Sequence, residues 1–132
     1  MAGERVIIDS DVLIDLARGD SRAIDLVDAV IGGGERPTIS IVTEMEVLVG
    51  ARTRGEQRTI RQLLQRFHVL PISEMVSIRA RNLVVQYGLS HGLTIPDAFI
   101  AATAIAARSL LLTKNLRHFS YLPRLRVRFP YS

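Results

Sequence analysis

The chain has 132 residues, of which 48% are hydrophobic and 23% are charged, and it contains no cysteine. This length and composition predict one folded domain, residues 1–132, and exclude disorder, disulfide bonds and thiolate metal sites. No apolar run approaches the roughly eighteen residues of a membrane span and no secretory leader is recognisable, so we expect no membrane partner and a cytoplasmic location.

Basic side chains outnumber acidic ones by seventeen to thirteen, and sixteen of the seventeen are arginine. Their distribution is uneven, because residues 1–66 hold nine basic and eleven acidic side chains whereas residues 67–132 hold eight and two. Arginine suits bidentate contacts with phosphate. The basic second half therefore indicates a polyanionic partner such as nucleic acid.

The stretch ERVIIDSDVLID, residues 4–15, begins as a short apolar strand and changes at once to helical spacing. Asp9 stands at the carboxyl end of that strand, where open α/β sheets bind ligands. Asp and Ser are also favoured helix N-caps, so capping by Asp9 or Ser10 explains this stretch equally well when it is taken alone.

Strands and helices alternate along the rest of the chain. The pattern predicts five strands, at 6–8, 38–42, 69–72, 110–113 and 125–129. Between the first two strands it predicts a short helix ending near residue 18 and a helix capped by Ser21 that ends at the glycines 32–34. After the second strand it predicts a helix capped by Thr43, followed by helices at 56–67, 74–87 and 97–107. On the long helix, Arg79 and Arg81 are expected to face away from Ile78 and Val85. Helices between short strands imply crossover connections and a mainly parallel sheet in a three-layer α/β/α domain.

Three carboxylates occupy comparable places in this pattern. Asp9 follows the first strand, Glu46 lies on the helix after the second strand, and Asp97 starts a helix of small apolar residues. The neighbours of Asp97 predict its burial, and a buried carboxylate needs a cation or a capping role. Capping would satisfy Asp97, and a capping box with Thr43 would satisfy Glu46, so only convergence of all three would indicate chemistry.

Four stretches stand in an order and spacing that resemble the PIN-domain family, in particular the small VapC-type toxins of prokaryotic toxin–antitoxin pairs: VIIDSDVLIDLARG, ISIVTEMEVLVGAR, IPDAFIAATAIA and LLLTKNLRHF. The resemblance covers nearly the whole chain. It implies a PIN-like α/β/α domain and a Mg²⁺- or Mn²⁺-dependent endoribonuclease, in which acidic side chains meet at the carboxyl edge of the sheet. Carried over to this chain, it implies Asp9, Glu46 and Asp97 as the catalytic and metal-binding residues.

The same resemblance assigns the polar residues around these acids. It selects Glu46 rather than Glu44, which lies two residues away and so cannot share its helix face. Ser10 matches a small hydroxyl residue and Asn115 a polar residue of the pocket, and both are expected to position substrate. Many relatives carry a fourth acid near Asn115; this chain has none there, so Asn115 or His118 is left to fill that place, and one or two metal ions remain open.

Clustered carboxylates supply the oxygen ligands that Mg²⁺ prefers, without sulfur or imidazole. Asp9 and Asp97 are expected to bind the metal directly, and Glu46 to orient or deprotonate the attacking water. Asp15, on the far side of the first helix, is expected to be solvated. The basic residues nearest the motifs are expected to hold the RNA backbone: Arg18, Arg52, Lys114 and Arg117.

The resemblance further implies an RNA substrate, a cognate antitoxin and a homodimer. The candidate surfaces for the antitoxin are the first two helices and the helix that carries Leu63 and Leu64. One alternative is a non-catalytic PIN-like module that binds RNA or protein, which the missing fourth acid favours. The other is a haloacid-dehalogenase-type phosphotransferase with Asp9 as nucleophile, although no acidic residue follows Lys114 as that class requires.

Overall fold

The computed structural model describes residues 4–132, and in this part of the chain five short strands form one sheet between two groups of helices. The strands are β1 (Val6–Ile8), β2 (Thr38–Ser40), β3 (His68–Leu70), β4 (Leu110–Leu112) and β5 (Arg126–Arg128). The helices are α1 (Ser10–Ala17), α2 (Ser21–Gly32), α3 (Ile41–Val49), α4 (Arg54–Leu64), α5 (Glu74–His91) and α6 (Ile95–Ala106), with a 3₁₀ turn at Leu116–His118. The strand order is β3-β2-β1-β4-β5 and every pairing is parallel, which confirms the predicted α/β fold.

Apolar side chains of the central strands pack on both faces of the sheet. Ile7 of β1 and Leu111 of β4 belong to a cluster with α5 and α6, whereas Ile8 and Leu112 belong to a second cluster with α1 and α2. Successive side chains of a strand point to opposite faces, so one strand serves both clusters. Burial on both faces explains why these strands are continuous apolar runs in the sequence.

The start of α3 differs from the expectation. β2 ends at Ser40, whose Oγ accepts a hydrogen bond from the Val42 N–H at 3.1 Å and caps the helix. The predicted cap at Thr43 is wrong, because Thr43 lies fully buried inside α3. Glu46 therefore takes no part in a capping box with Thr43. The cap of α3 thus lies three residues before the predicted one, and the cap of α2 lies one residue before it, at Asp20 in place of Ser21.

Helix α5 is longer than predicted and carries an exposed apolar stripe. It continues to His91 and ends where Gly92 adopts a left-handed conformation with φ of 67°. The expectation for its arginines is wrong for Arg81, which lies three positions after Ile78 and four before Val85 and so shares their exposed face, whereas Arg79 is half-buried. The exposed apolar residues lie three, seven and four positions apart and so share one helix face: Met75, Ile78, Val85 and Leu89.

The parallel arrangement brings the ends of several elements to one edge of the sheet. Asp9 follows β1 and Thr113 follows β4 at their carboxyl ends. Helix α6 precedes β4 and brings the chain to the amino end of that strand. The first turn of α6, which holds Asp97, therefore lies at the opposite edge, where β1 and β4 end. Among residues 4–132, no helix is both long and apolar enough to span a bilayer.

Candidate active site

Asp9 is buried at the carboxyl edge of the sheet, with only 5% of its surface exposed. Its Oδ1 accepts a hydrogen bond from the Ser10 N–H at 2.7 Å, and its Oδ2 accepts one from the Thr113 hydroxyl at 2.8 Å. Burial, followed by the charge of Asp11, raises the pKa of Asp9 to about 6, against the lowering effect of these two hydrogen bonds. Asp9 therefore caps α1 and also supplies a carboxylate to the pocket.

Asp11 belongs to the same pocket, although the motifs left it without a role. Its Oδ2 accepts hydrogen bonds from the Lys114 backbone N–H at 2.9 Å and from Asn115 Nδ2 at 3.1 Å. Its Oδ1 is buried and has no hydrogen-bond partner among the described residues. Burial raises the pKa of Asp11, opposed first by the Lys114 hydrogen bond. The sequence feature that could have predicted this role of Asp11 is Asn115, because its side-chain amide needs a hydrogen-bond acceptor.

Glu46 approaches this edge from α3. Its Oε1 accepts a hydrogen bond from the Ser10 hydroxyl at 2.6 Å, which joins the first residue of α1 to α3. Glu46 is exposed to solvent. Glu44 lies in a separate cleft that also includes Arg58 and Arg61, which supports the choice of Glu46.

Asp97 is not the cap of its helix. Thr94 caps α6, and its Oγ1 accepts a hydrogen bond from the Asp97 backbone N–H at 3.3 Å, so the Asp97 carboxylate is not used in capping. The side chain is 23% exposed, which corrects the expected full burial, and its Oδ2 lies 3.6 Å from His118 Nδ1. Partial burial raises the pKa of Asp97; His118 lowers it, and the charges of Glu46 and Asp11 raise it further.

Hydrogen bonds hold three of the four carboxylates at this edge through neighbouring residues, because Thr113 binds Asp9, the Lys114 N–H binds Asp11, and Ser10 binds Glu46. The charges of Asp11 and Asp97 act on Asp9, and those of Glu46 and Asp11 act on Asp97. Within residues 4–132, no three His, Asp or Glu side chains stand close enough together to hold one ion without rearrangement. The oxygen-only donor set and the unpartnered Oδ1 of Asp11 nevertheless fit a hard divalent cation.

Asp15 was expected to be solvated and Lys114 to contact RNA, but the two side chains pair with each other. Lys114 Nζ lies 2.8 Å from Asp15 Oδ2, and the Tyr131 hydroxyl donates a hydrogen bond to the same oxygen at 2.8 Å. The Asp15 side chain is only 12% exposed and not solvated. Partial burial raises the pKa of Asp15, but the hydrogen bonds from Lys114 and Tyr131 lower it by more, so the net change is a decrease. Lys114 is thus held by an acid instead of being free for RNA.

An aromatic stack stands beside Asp97. The rings of His91 and Tyr121 are nearly parallel with centroids 4.1 Å apart, and Tyr87 packs against Tyr121 at 5.5 Å. Burial, followed by the negative charge of Asp97, raises the pKa of Tyr121, which places this ring near the acidic pocket. Stacked rings with an exposed face can pack against other flat aromatic rings.

The sequence model of the PIN domain matches residues 6–125, and the chain belongs to this family. Two similar proteins from Mycobacterium tuberculosis are ribonuclease VapC10, 35% identical over 94% of this chain and 92% of that protein, and ribonuclease VapC19, 32% identical over 90% and 95%. A toxin–antitoxin complex from Klebsiella pneumoniae contains a chain with a TM-score of 0.79 and 33% identity, covering 96% of this chain and 98% of that one. DNA-bound VapBC from Salmonella typhimurium has the same fold, with a TM-score of 0.80 at 21% identity over 96% and 98%. Family membership excludes the haloacid-dehalogenase alternative.

Proposed function

We propose that this chain is a metal-dependent endoribonuclease and the toxin of a type II, VapBC-like toxin–antitoxin pair. The observation that carries the proposal is the group of four carboxylates at the carboxyl edge of the sheet, one of which has a buried oxygen without a partner. The similar ribonucleases and the toxin–antitoxin complex support it. Because cellular RNA would be the substrate, we place the protein in the cytoplasm.

In the proposed mechanism, Asp9 and Asp97 hold Mg²⁺ or Mn²⁺, and Asp11 offers its unpartnered oxygen to the same site. When bound, such an ion lowers the pKa of a water and neutralises the scissile phosphate. Glu46 is exposed, is oriented by Ser10, and takes the proton of the attacking water. Asn115 is anchored on Asp11 and positions substrate at the rim, where the ring of His91 can stack on a base.

We expect the pure protein to cleave single-stranded or loop RNA in the presence of Mg²⁺ or Mn²⁺ and to be inactive in chelator. Attack by water on the phosphorus leaves a 5′-phosphate on the product. End-group analysis of the fragments, with and without added metal, measures both properties. Cleavage that chelator does not reduce, or fragments ending in a 2′,3′-cyclic phosphate, would contradict the mechanism; RNA binding without cleavage would indicate the non-catalytic module.

We expect His118→Ala to reduce cleavage by less than about tenfold. His118 lies 3.6 Å from Asp97 Oδ2, but its side chain is half exposed, and ion pairs at exposed positions contribute little. Initial rates under saturating metal, with His68→Ala at the exposed amino end of β3 as the matched control, measure the effect. A loss of a hundredfold or more would show that His118 takes the place of the fourth acid.

The antitoxin is proposed to occupy an apolar groove between α1, α3 and α4. The groove has a volume of about 990 Å³, and Ile14, Ile60 and Leu63 are among its lining residues. Leu64, which the sequence-based prediction named together with Leu63, is buried in the core and cannot contact a partner. Arg18 lies along the same groove, where it can meet an acidic residue of a partner segment, whereas Arg52 is paired with Glu56 at 3.0 Å.

The homodimer is proposed to form through the apolar stripe of α5 described above. Met75, Ile78, Val85 and Leu89 are all exposed on one helix face, and a stripe of this kind is normally covered by a protein partner. The stripe and the groove lie on different helices, so one chain can use both surfaces at once.

Reciprocal substitutions test these two surfaces. Leu63→Glu is expected to weaken binding of the antitoxin from the adjacent reading frame at least about tenfold, because it places a charge in an apolar contact, and to leave dimerisation intact. Leu89→Glu is expected to do the reverse. Titration calorimetry and sedimentation measure the two effects. Loss of both properties in one variant, with an unchanged melting temperature, would show that the surfaces are misassigned.

A further inference from the structure

A pocket lined by arginine lies at the far end of α6 from Asp97. It has a volume of about 400 Å³ and is built from four separate segments, namely α5, the end of α6, the loop before β5, and β5 itself. Its charged lining residues are Arg79, Arg108, Arg124 and Arg126. Ile105 lines the pocket and follows Asp97 by eight residues on α6, which corresponds to about 12 Å along the helix, so this arginine pocket is separate from the acidic site.

The positive charge of the arginine pocket is largely unbalanced. Within residues 4–132, Arg126 pairs with Glu4 at 2.9 Å, and the other three arginines of the pocket make no ion pair. Glu74 lines the adjoining groove with Arg79 and Arg124 but pairs with neither. The carboxyl end of α6 contributes only about half a negative charge. Three guanidinium groups therefore lack a compensating charge.

Arg79 gives the most direct sign of a missing ligand. Its side chain is half-buried, its Nε is fully buried, and that Nε has no hydrogen-bond acceptor among the described residues. A buried donor on a charged group is costly unless an acceptor is present. Because the Nε is closed to solvent, an anion in the arginine pocket would reach the terminal nitrogens of the same guanidinium.

Backbone conformation points to the same place. Arg108 has φ of 51° and Arg124 has φ of 67°, and they are the non-glycine residues with positive φ in the described chain. Glycine adopts this conformation without steric cost, whereas arginine does not. Two arginines kept in unfavourable conformations on one pocket indicate that their side chains are needed there.

We propose that the arginine pocket binds a phosphate group. Guanidinium forks match phosphate oxygens in a bidentate way, and a pocket with three uncompensated arginines suits a dianion. On the proposed function, the source is a backbone phosphate of a folded RNA that spans the distance between this pocket and a cleavable loop in the acidic site. That source depends on the proposed function, whereas phosphate binding itself does not.

Titration of the protein with inorganic phosphate tests the site directly. The Nε–H signal of Arg79 in ¹⁵N-labelled protein is expected to shift on titration, and Arg79→Gln is expected to weaken binding roughly ten- to hundredfold. Arg81→Gln, on the exposed side of the same helix, is the matched control and should change nothing. Arg108→Gly removes a guanidinium where φ suits glycine, so it keeps the fold and should also weaken binding.

Absence of a shift, or equal weakening by Arg81→Gln, would overturn the site. So would an Nε–H signal that responds to protein concentration and not to phosphate, because a carboxylate of a second copy would then be the occupant.

Two RNA substrates distinguish the sources of phosphate. For a folded RNA, Arg79→Gln is expected to raise KM roughly tenfold with little change in kcat, while a short oligonucleotide that fills only the acidic site should be cleaved as by wild type. Equal KM values for both substrates, with phosphate binding intact, would overturn the RNA source and assign the pocket to free phosphate. If wild type cleaves neither RNA, the proposed function fails and the phosphate titration still decides the site.

Discussion

Asp97→Asn is expected to lower RNA cleavage by roughly a hundredfold or more, while the metal-free protein stays as stable as wild type or becomes slightly more stable. The loss is expected because, in the proposed mechanism, Asp97 would hold the metal ion that stabilises charge in the transition state. The fold is kept because Thr94, and not Asp97, caps α6. Stability can rise because partial burial and the charges of Glu46 and Asp11 disfavour ionised Asp97.

Thermal melts with and without Mn²⁺ separate the two effects. At about a hundred times its dissociation constant, the ion should stabilise wild type by roughly 2.7 kcal/mol, and this increment should nearly vanish in Asp97→Asn. Glu74→Gln is the matched control, because Glu74 also stands in the first turn of a helix but is outside the pocket. A variant that melts far below wild type without metal and keeps the metal-induced shift would make Asp97 a structural residue.

The second large effect concerns stability against pH in chelator. Burial raises the pKa of Asp9 from 3.8 to about 6, so the folded protein binds the Asp9 proton more tightly than the unfolded chain does. Stability from this group is therefore present at low pH and is lost as pH rises from about 4 to about 6. A pKa shift of this size corresponds to about 3 kcal/mol of folding stability that wild type loses by pH 7. Asp9→Asn should therefore be more stable than wild type by about this amount at pH 7, but not near pH 4.

Urea unfolding of wild type and Asp9→Asn at several pH values measures this difference. The asparagine oxygen can still accept the Ser10 N–H, so helix capping is retained. Asp25→Asn, at an exposed position of α2, controls for loss of a carboxylate elsewhere. Parallel stability curves for wild type and Asp9→Asn would show that the ionised Asp9 carboxylate is not disfavoured by the fold.

Local sequence signals predicted the fold because the strands are buried on both faces and the helices carry their own caps. They failed at α3, where Ile41 and Val42 are β-branched and resemble a continuing strand. Both Ser40 and Thr43 are good caps, and the choice is made by tertiary structure, since the pairing of β2 with β3 ends at Ser40 opposite Leu70. Intrinsic preference is overridden by such pairings.

The acidic site was predicted in outline but not in its contacts. Asp9 and Asp97 are recognisable from local patterns, because Asp9 stands at the end of a predicted strand and Asp97 at the start of a predicted helix. The role of Asp11 depends on Lys114 and Asn115, which are more than a hundred positions away. The same distance in sequence hides the contact of Asp15 with Tyr131. No local pattern encodes such pairs.

The bond between the Thr113 hydroxyl and Asp9 joins residues 104 positions apart and bears on the timing of synthesis. Strand β1 lies between β2 and β4, so the first strand made cannot be fully paired until the fourth leaves the ribosome. Chains whose contacts are so distant complete their native state late. The acidic site, in which Thr113 holds Asp9, is therefore complete only after most of the chain has been translated.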